Sequence, residues 1–365
     1  MEPVKAKRQV NFELLRILSM YMIVIGHCLF HGRVTAKLGY GTVNYFLSYF
    51  VQSFSVVHVN CFVMIGGYFA VGSTFRSERV LRFWRQVSFY ALLIFALYGF
   101  LASVSPGDAV KALFPISAYN YWFASVYMGL LLLTPFISML AMRLTKAQYR
   151  WLLVCLAIFF SVNQMIFQVN AYGSYSGREL PWFIFLALLA GYIRLHTRQE
   201  RKYFYYGLAG YILSSLAILA TVYLSGELWL HEIGYFLNYN SPLALLSTAC
   251  LFLAVKNMPW KETRVDGLIR KIASAAFGVY LIHDNYLIRY LVWDTFRASK
   301  VALTHWAVIY AAAVAVVVYV ACTCIELLRQ KLFAACGERY EKTSLYQKEQ
   351  ALCRRIDGIF TKTPA

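Results

Sequence analysis

Residues Asn11 to His31, NFELLRILSMYMIVIGHCLFH, decide how the rest of the chain is interpreted. The stretch is long and apolar enough to span a bilayer as a helix, yet it carries Arg16 and His27 within the apolar run. Ionisable side chains inside a spanning helix are costly, and they usually face a bundle interior where they serve a function. At about 100° per residue the two side chains lie on nearly the same helix face, about 16 Å apart along the axis.

The composition is that of a polytopic helical membrane protein. Of the 365 residues, 60% are hydrophobic and 14% are charged, whereas soluble domains carry about 25% charged residues. Apolar runs of about 20 residues alternate with short charged segments, which predicts an all-α integral membrane bundle of about ten transmembrane helices. We place these spans at residues 11–31, 44–70, 83–104, 121–142, 150–169, 181–195, 203–225, 241–256, 272–292 and 305–328.

The net charge of +18 does not indicate a nucleic-acid partner, because the basic residues fall in alternate loops. Of the 35 Lys and Arg residues, 27 lie in one set of loops and in the tail, and seven lie on the opposite side. The positive-inside rule therefore predicts that both termini are cytoplasmic. We expect a transmembrane domain over 1–328 and a cytoplasmic tail over 329–365, whose segment LYQKEQALCRRIDGIF is typical of a helix on the inner leaflet of the bilayer.

The eight cysteines do not indicate a metal or redox site. No CxxC pair occurs, and most of the cysteines lie in apolar runs, where they behave as small hydrophobic residues. No metal is expected.

A basic segment, FRSERVLRFWRQ, follows the second predicted span. Arg79, Arg82 and Arg85 recur every three residues, which clusters their guanidinium groups on one side of a helix start. One interpretation is simple anchoring against lipid headgroups. The other is a phosphate-binding site, because arginine matches phosphate geometry with two parallel hydrogen bonds.

A second polar cluster lies in the ninth span, in AAFGVYLIHDNYLIR. His283, Asp284 and Asn285 lie about 16–20 Å from the cytoplasmic start of this span, near the middle of the membrane. They form either a polar contact between helices or part of a functional site. For His58, which lies within the second span, we favour a structural hydrogen bond.

Four motifs in this order resemble membrane acyltransferase family 3, an extensive resemblance that covers residues 11 to about 328. They are Arg16 and His27 with ten residues between them, the run Gly66-Gly67-Tyr68-Phe69, the pair Trp122-Phe123 followed by a Leu-rich run and Pro135-Phe136, and Tyr280-Leu281-Ile282-His283. The family also has a comparable Arg-rich loop after its second helix.

The resemblance implies an acyl-CoA-dependent O-acyltransferase in a bacterial cytoplasmic membrane. Its donor would be acetyl-CoA or another acyl-CoA on the cytoplasmic side. Its acceptor would be a hydroxyl of an extracytoplasmic or lipid-linked carbohydrate, as in polysaccharide modification of the cell envelope. Aromatic and amide side chains in the external loops 170–180 and 226–240 are candidates for contacting that sugar.

The residues receive roles on this basis. His27 and Arg16 are the candidate catalytic residues, with His27 as the general base because imidazole is well matched to proton transfer near neutral pH. Arg16, Arg79, Arg82 and Arg85 would hold the acyl-CoA. We assign substrate binding to His283, Asp284 and Asn285. Direct transfer and an acyl-histidine intermediate both remain open.

Two other interpretations compete with this one. A transporter or flippase for a lipid-linked saccharide would also carry charges inside the membrane, but the sequence has no internal repeat. A membrane anchor without chemistry is the third. Transfer of label from acetyl-CoA would distinguish the enzyme from both.

Overall fold

Helices make up the regular structure of the parts of the chain that the computed structural model describes, which are residues 9–167, 172–227 and 235–361. No strand occurs within those ranges. A helix satisfies all its backbone hydrogen bonds internally, as a spanning segment in lipid must. The helices are α1 (Val10–His31), α2 (Val43–Ser55), α3 (His58–Ala70), α4 (Ser77–Gly99), α5 (Pro106–Leu113), α6 (Trp122–Arg143), α7 (Lys146–Ala157), α8 (Asn163–Phe167), α9 (Leu180–His196), α10 (Arg201–Glu227), α11 (Pro242–Lys256), α12 (Asp266–His283), α13 (Arg289–Thr295), α14 (Ala298–Val301), α15 (Ala307–Tyr340) and α16 (Ser344–Thr361).

The all-α membrane architecture is confirmed. Within the described residues, seven helical segments are long and apolar enough to cross a membrane, and α9 and α11 are shorter apolar helices. Each predicted span coincides with one or more of the observed helices. The count of ten spans and the side on which the termini lie stay predictions. Residues 1–8, 168–171, 228–234 and 362–365 lie outside the described residues, so the predicted external segments 170–180 and 226–240 are described only in part.

Several predicted spans differ from the observed helices. The third ends at Gly99 instead of residue 104, and the fifth contains a π-helical segment, Ile158–Val162, between α7 and α8. The second is divided at residues 56–57 into α2 and α3. The ninth was expected to reach residue 292, but α12 ends at His283. The physical reason is local, since Asn285 Oδ1 accepts a hydrogen bond from the Leu287 amide at 3.0 Å. A hydrogen bond from a backbone amide to a nearby side chain competes with the helical hydrogen-bond pattern, so the helix ends and the chain turns.

The predicted tail boundary at 328–329 falls inside α15, which continues without interruption to Tyr340. After it, α16 folds back against the start of α4. The Ser77 amide donates to Asp357 Oδ1 at 2.7 Å, and the rings of Phe75 and Phe360 are 4.9 Å apart. The tail helix is therefore packed against the loop that precedes α4. Its contact with the leaflet stays a prediction.

One end of the bundle collects the starts and ends of several helices. Asn11 Nδ2 donates to the Val255 carbonyl at 2.8 Å, and an Arg194 Nη donates to the Tyr68 carbonyl at 2.6 Å. The start of α1 and the ends of α3, α9 and α11 therefore meet here. We call this the basic end, and α1 and α12 both run away from it.

Helix α1 lies at the centre, packed against α2, α3, α11, α12 and α15. A buried polar network holds α15 to α4 and α12. Glu326 is fully buried and accepts hydrogen bonds from the Tyr90 hydroxyl at 2.6 Å and from Arg329 and Gln330. Gly278 of α12 allows this approach, because a Cβ there would lie 2.5 Å from Glu326 Cγ. The network fixes α12, which carries the second polar cluster.

Candidate active site

Helices α1 and α12 bring His27 and His283 into contact. His27 Nδ1 lies 3.0 Å from His283 Nε2, although the residues are 256 positions apart. His283 is buried, and its Nδ1 lies 2.6 Å from the Val279 carbonyl oxygen one turn earlier in α12. Of the residues predicted from the first and ninth spans, His27, His283 and Asp284 thus lie in one cluster, whereas Arg16 lies outside it.

Asp284 is the acidic centre of this site. Its Oδ1 lies 3.6 Å from His27 Nδ1, 3.5 Å from His31 Nε2 and 3.7 Å from Arg289 Nε. An Arg289 Nη also donates to the Asp284 backbone carbonyl at 3.1 Å. The side chain is buried, and although these basic groups surround Oδ1, none of them makes a hydrogen bond to it.

Asn285 has structural partners. Its Nδ2 donates to the Tyr121 hydroxyl at 2.7 Å, and that hydroxyl donates to the Leu281 carbonyl at 3.0 Å. Its Oδ1 accepts from the Leu287 amide, as described above. The side chain is fully buried, and its assignment to substrate binding stays a prediction.

Two cavities lie along α1, and each contains one member of the Arg–His pair. The upper cavity, farther from the basic end, has a volume of about 30 Å³ and is lined by His27, His58, Trp122, Tyr239 and apolar side chains. The lower cavity has a volume of about 360 Å³ and reaches the basic end. Its basic lining residues are Arg16, Arg76 and Arg79.

A set of rings, which we call the aromatic layer, separates the cavities. Tyr127 lines the lower cavity, and Phe123, Phe277 and Tyr280 line the upper one. The Phe123 and Tyr127 rings stack 5.4 Å apart, and Phe83 stacks on Phe277 at 4.8 Å.

Arg16 has an ion-pair partner and also reaches the lower cavity. Its Nε lies 3.5 Å from Glu13 Oε2, so the i,i+3 ion pair exists. The guanidinium also lines the lower cavity, and the Arg16 side chain is 28% exposed. It is therefore accessible to a ligand in that cavity.

The arginines of the basic segment do not share one environment. Arg79 lines the lower cavity, together with Arg76. Arg82 pairs with Glu78 at 2.6 Å on the surface. Arg85 pairs with Glu349 of α16, and its guanidinium lies 5.6 Å from the Tyr340 ring. Neither Arg82 nor Arg85 is among the described residues that line the lower cavity.

Several site residues were missed by the sequence reasoning. His58 lines the upper cavity opposite His27, and its Nδ1 accepts a hydrogen bond from the Val59 amide at 2.7 Å. Arg178 lies 5.6 Å from the rings of both Trp122 and Tyr239, which stack 6.2 Å apart. A polar residue inside a span was the signal for His58. For Arg178 the only signal was its position in an external loop.

The site also contains a possible donor set for a metal. Ligand atoms of His27, His31 and Asp284 lie within 4.8 Å of one another, and two imidazoles with a carboxylate suit a divalent cation. The Arg289 guanidinium beside the same carboxylate oxygen opposes a second positive charge there. The expectation of a metal-independent protein stays a prediction.

Comparison with known proteins gives one result that covers almost the entire chain. A family model described as an acyltransferase domain, that of acyltransferase family 3, matches residues 9–325. Comparisons with curated proteins and with solved structures gave no match. The matched range contains both cavities and all the histidines that line them. The chain belongs to acyltransferase family 3 and is a membrane-embedded acyltransferase.

Proposed function

We propose that the protein transfers an acyl group, acetyl in the simplest case, from acyl-CoA on the basic side to a hydroxyl of a carbohydrate on the opposite side. The observation that supports this proposal most directly is the division of the Arg–His pair between two cavities of one helix. Arg16 lines the lower cavity and His27 the upper one. A donor bound below the aromatic layer and an acceptor bound above it would meet at His27.

The lower cavity has features that suit the donor. Arg16, Arg76 and Arg79 provide three cations at its walls, and guanidinium groups bind phosphates strongly. The remaining lining is largely apolar, and the Tyr127 hydroxyl packs directly against Gly66, where a Cβ would clash with it. Coenzyme A carries its phosphates at the nucleotide end and its thioester at the end of a narrow arm. That arm would extend past Tyr127 towards His27.

The chemistry then follows from the upper cavity. His27 takes the proton from the acceptor hydroxyl while its oxygen attacks the thioester carbonyl carbon. The new C–O bond gives a tetrahedral oxyanion, which collapses with cleavage of the C–S bond. The coenzyme A thiolate leaves and receives the proton from His27. The products are an ester and a free thiol, and the histidine returns to its neutral form.

The acceptor side is supported by aromatic and cationic groups. Trp122 and Tyr239 present stacked rings at the upper cavity, with Arg178 beside them. Flat rings suit the apolar face of a sugar, and a guanidinium suits its hydroxyl or acidic groups. A lipid-linked acceptor held in the bilayer would reach the upper cavity beside these residues. Such an acceptor fits a protein of the bacterial cytoplasmic membrane.

A reconstitution experiment tests this proposal. The purified protein in proteoliposomes receives acetyl-CoA with a labelled acetyl group and lipid-linked saccharides extracted from bacterial membranes, with succinyl-CoA as a second donor. We expect release of free coenzyme A and appearance of label in the saccharide fraction. Saccharide movement across the bilayer without consumption of either thioester would identify a transporter and overturn the proposal. The absence of both thioester consumption and saccharide movement would also overturn it.

A further inference from the structure

We infer that two backbone groups, the Val279 carbonyl and the Val59 amide, set the tautomers of three histidines, so that His27 presents a base and His58 a hydrogen-bond donor to the upper cavity. This inference assigns His283 a positioning role instead of substrate binding, and it adds His58 as a catalytic residue. It rests on the proposed acyl transfer for its meaning, although the tautomers can be measured without it.

The first step concerns His283. A backbone carbonyl oxygen only accepts hydrogen bonds, and the Val279 oxygen lies 2.6 Å from His283 Nδ1. Nδ1 must therefore carry the proton. In a neutral imidazole the other nitrogen is then an acceptor, so His283 Nε2 presents its lone pair.

The second step is that the tautomer of His283 determines which nitrogen of His27 carries the proton. His283 Nε2 lies 3.0 Å from His27 Nδ1, and an acceptor at that distance requires a proton on the partner atom. The Asp284 carboxylate faces the same His27 nitrogen at 3.6 Å and favours the same proton position. His27 Nε2 is then the atom without a proton. Since His27 lines the upper cavity, this atom is available as the base.

His283 itself acts from outside the cavity. It is not among the described residues that line either cavity, and only 1% of it is exposed. The rings of Trp293 at 6.1 Å and Tyr280 at 6.5 Å meet it edge-on and hold its plane. Its influence on the reaction therefore passes through His27.

The third step concerns His58, where the backbone group is a donor. The Val59 amide donates to His58 Nδ1 at 2.7 Å, so this nitrogen has no proton and His58 Nε2 carries it. His58 lines the same small cavity as His27 and lies against the Tyr239 ring at 5.3 Å. A fixed N–H beside the base is suited to stabilise the oxyanion of the tetrahedral intermediate.

The proposed reaction needs a hydrogen-bond donor for the oxyanion within the upper cavity. Arg16 lies about 16 Å along α1 from His27, in the lower cavity, which is too far to contact an oxyanion formed at His27. His58 lines the upper cavity itself. The two histidines that line this cavity thus carry opposite roles, one accepting a proton and one donating a hydrogen bond.

Nitrogen-15 NMR of the ring-labelled protein tests the tautomers directly. We expect His27 to show a protonated Nδ1 and an unprotonated Nε2, and His58 to show the reverse. The variants H27N and H58N identify the two sets of signals by their disappearance. A proton on His27 Nε2, or on His58 Nδ1, in the wild-type protein would overturn the inference, whatever the acyl-transfer assay shows.

Turnover of four variants supplies the second test. H283L removes the acceptor for His27 and should lower kcat by about 10²-fold, the lower limit for loss of a positioned base, with the KM for acetyl-CoA unchanged. H283Q restores an acceptor oxygen that does not titrate and should recover most of the rate. H58L should lower kcat by about 10²-fold, as removal of one oxyanion donor does. H58Q should recover part of the lost rate.

His305 provides the matched control, because it is exposed and outside both cavities. H305Q should leave kcat, KM and the His27 signals unchanged. Wild-type turnover in H283L or in H58L would contradict the corresponding role. Absence of transfer by the wild-type protein would count against the proposed function alone, because the NMR result stands independently of turnover.

Discussion

At the scale of single residues, the position of an ionisable side chain relative to the aromatic layer determines what it can contact. His27 lies above the layer in the upper cavity, and Arg16 lies below it in the lower cavity. They are on one helix face, so the helical rise alone separates proton transfer from donor binding by about 16 Å. The two side chains therefore give separable kinetic effects.

Replacement of the base is the simplest prediction at this scale. H27A should lower kcat by about 10²–10⁴-fold, because it removes the general base, while acetyl-CoA binding is kept. Single-turnover kinetics and a direct binding measurement on the purified variant distinguish the two quantities. Normal insertion and purification serve as the control. Near wild-type turnover would show that the catalytic assignment of His27 is wrong.

Arg16 should respond differently. R16K keeps a positive charge but loses the planar fork that binds phosphate with two parallel hydrogen bonds. We expect a raised KM for acetyl-CoA and a substantial loss of kcat/KM. Steady-state kinetics at several donor concentrations measures this. Full activity of the lysine variant would mean that Arg16 acts only as a point charge.

At the scale of elements, helix ends position the functional groups. Helix α12 stops at His283 because Asn285 forms its own turn, and this stop turns Asp284 towards α1. Helix α4 begins beside the lower cavity, and α16 packs on that beginning through Glu349 and Asp357. Only part of the basic segment is therefore available to a ligand.

The arginines of α4 give a matched pair for the donor site. R79Q should raise the apparent KM for acetyl-CoA several-fold and make it less sensitive to salt, because Arg79 lines the lower cavity and exposed charge contacts are screened. R82Q is the control, since Arg82 is exposed and pairs with Glu78 outside that cavity. If wild type and R79Q have the same apparent KM for acetyl-CoA, Arg79 does not bind the donor, and the basic segment serves only to anchor the protein at the lipid headgroups.

The contact between α12 and α15 gives a stability prediction. In G278A the new methyl group would lie 2.5 Å from Glu326 Cγ, and Glu326 is held by Tyr90 and Arg329. Overpacking of this kind costs about 1–3 kcal/mol, so the apparent Tm in detergent should fall. G267A, in the same helix with nothing within 4 Å, is the control. An unchanged Tm for G278A would show that the network adjusts.

At the scale of the whole molecule, the two cavities along α1 lie at different distances from the basic end. The lower cavity reaches the basic end, where Arg76 and Arg79 lie, and the upper one lies under Trp122, Tyr239 and Arg178. The positive-inside rule assigns the basic end to the cytoplasm, where acyl-CoA is available. Function then depends on the orientation of the bundle.

Cysteine labelling in intact cells checks this orientation. Ser103 and Lys261 are exposed and lie at opposite ends of the bundle by the predicted topology. A membrane-impermeant maleimide should label S103C, but not K261C, above the level seen for the unsubstituted protein. Permeabilised cells, in which both variants should react, are the control. The reverse pattern would place the basic end outside and contradict the proposed side for the donor.

The sequence by itself determined the fold class, the family resemblance and the importance of α1. Apolar runs of membrane-spanning length depend only on local composition, because a spanning helix satisfies its own backbone hydrogen bonds. The face shared by Arg16 and His27 follows from helical geometry. The charge asymmetry of the loops was also evident in the sequence, and it supports a predicted orientation.

Only the tertiary structure decided which polar residues belong together. The contact between His27 and His283 joins positions 256 apart, and no local pattern encodes the crossing of α1 with α12. The same holds for His58, which lines one cavity with His27 only because α3 packs on α1, and for Arg85, which pairs with Glu349 of α16. These contacts depend on the packing of several helices at once, so the spacing of residues along the chain could not reveal them.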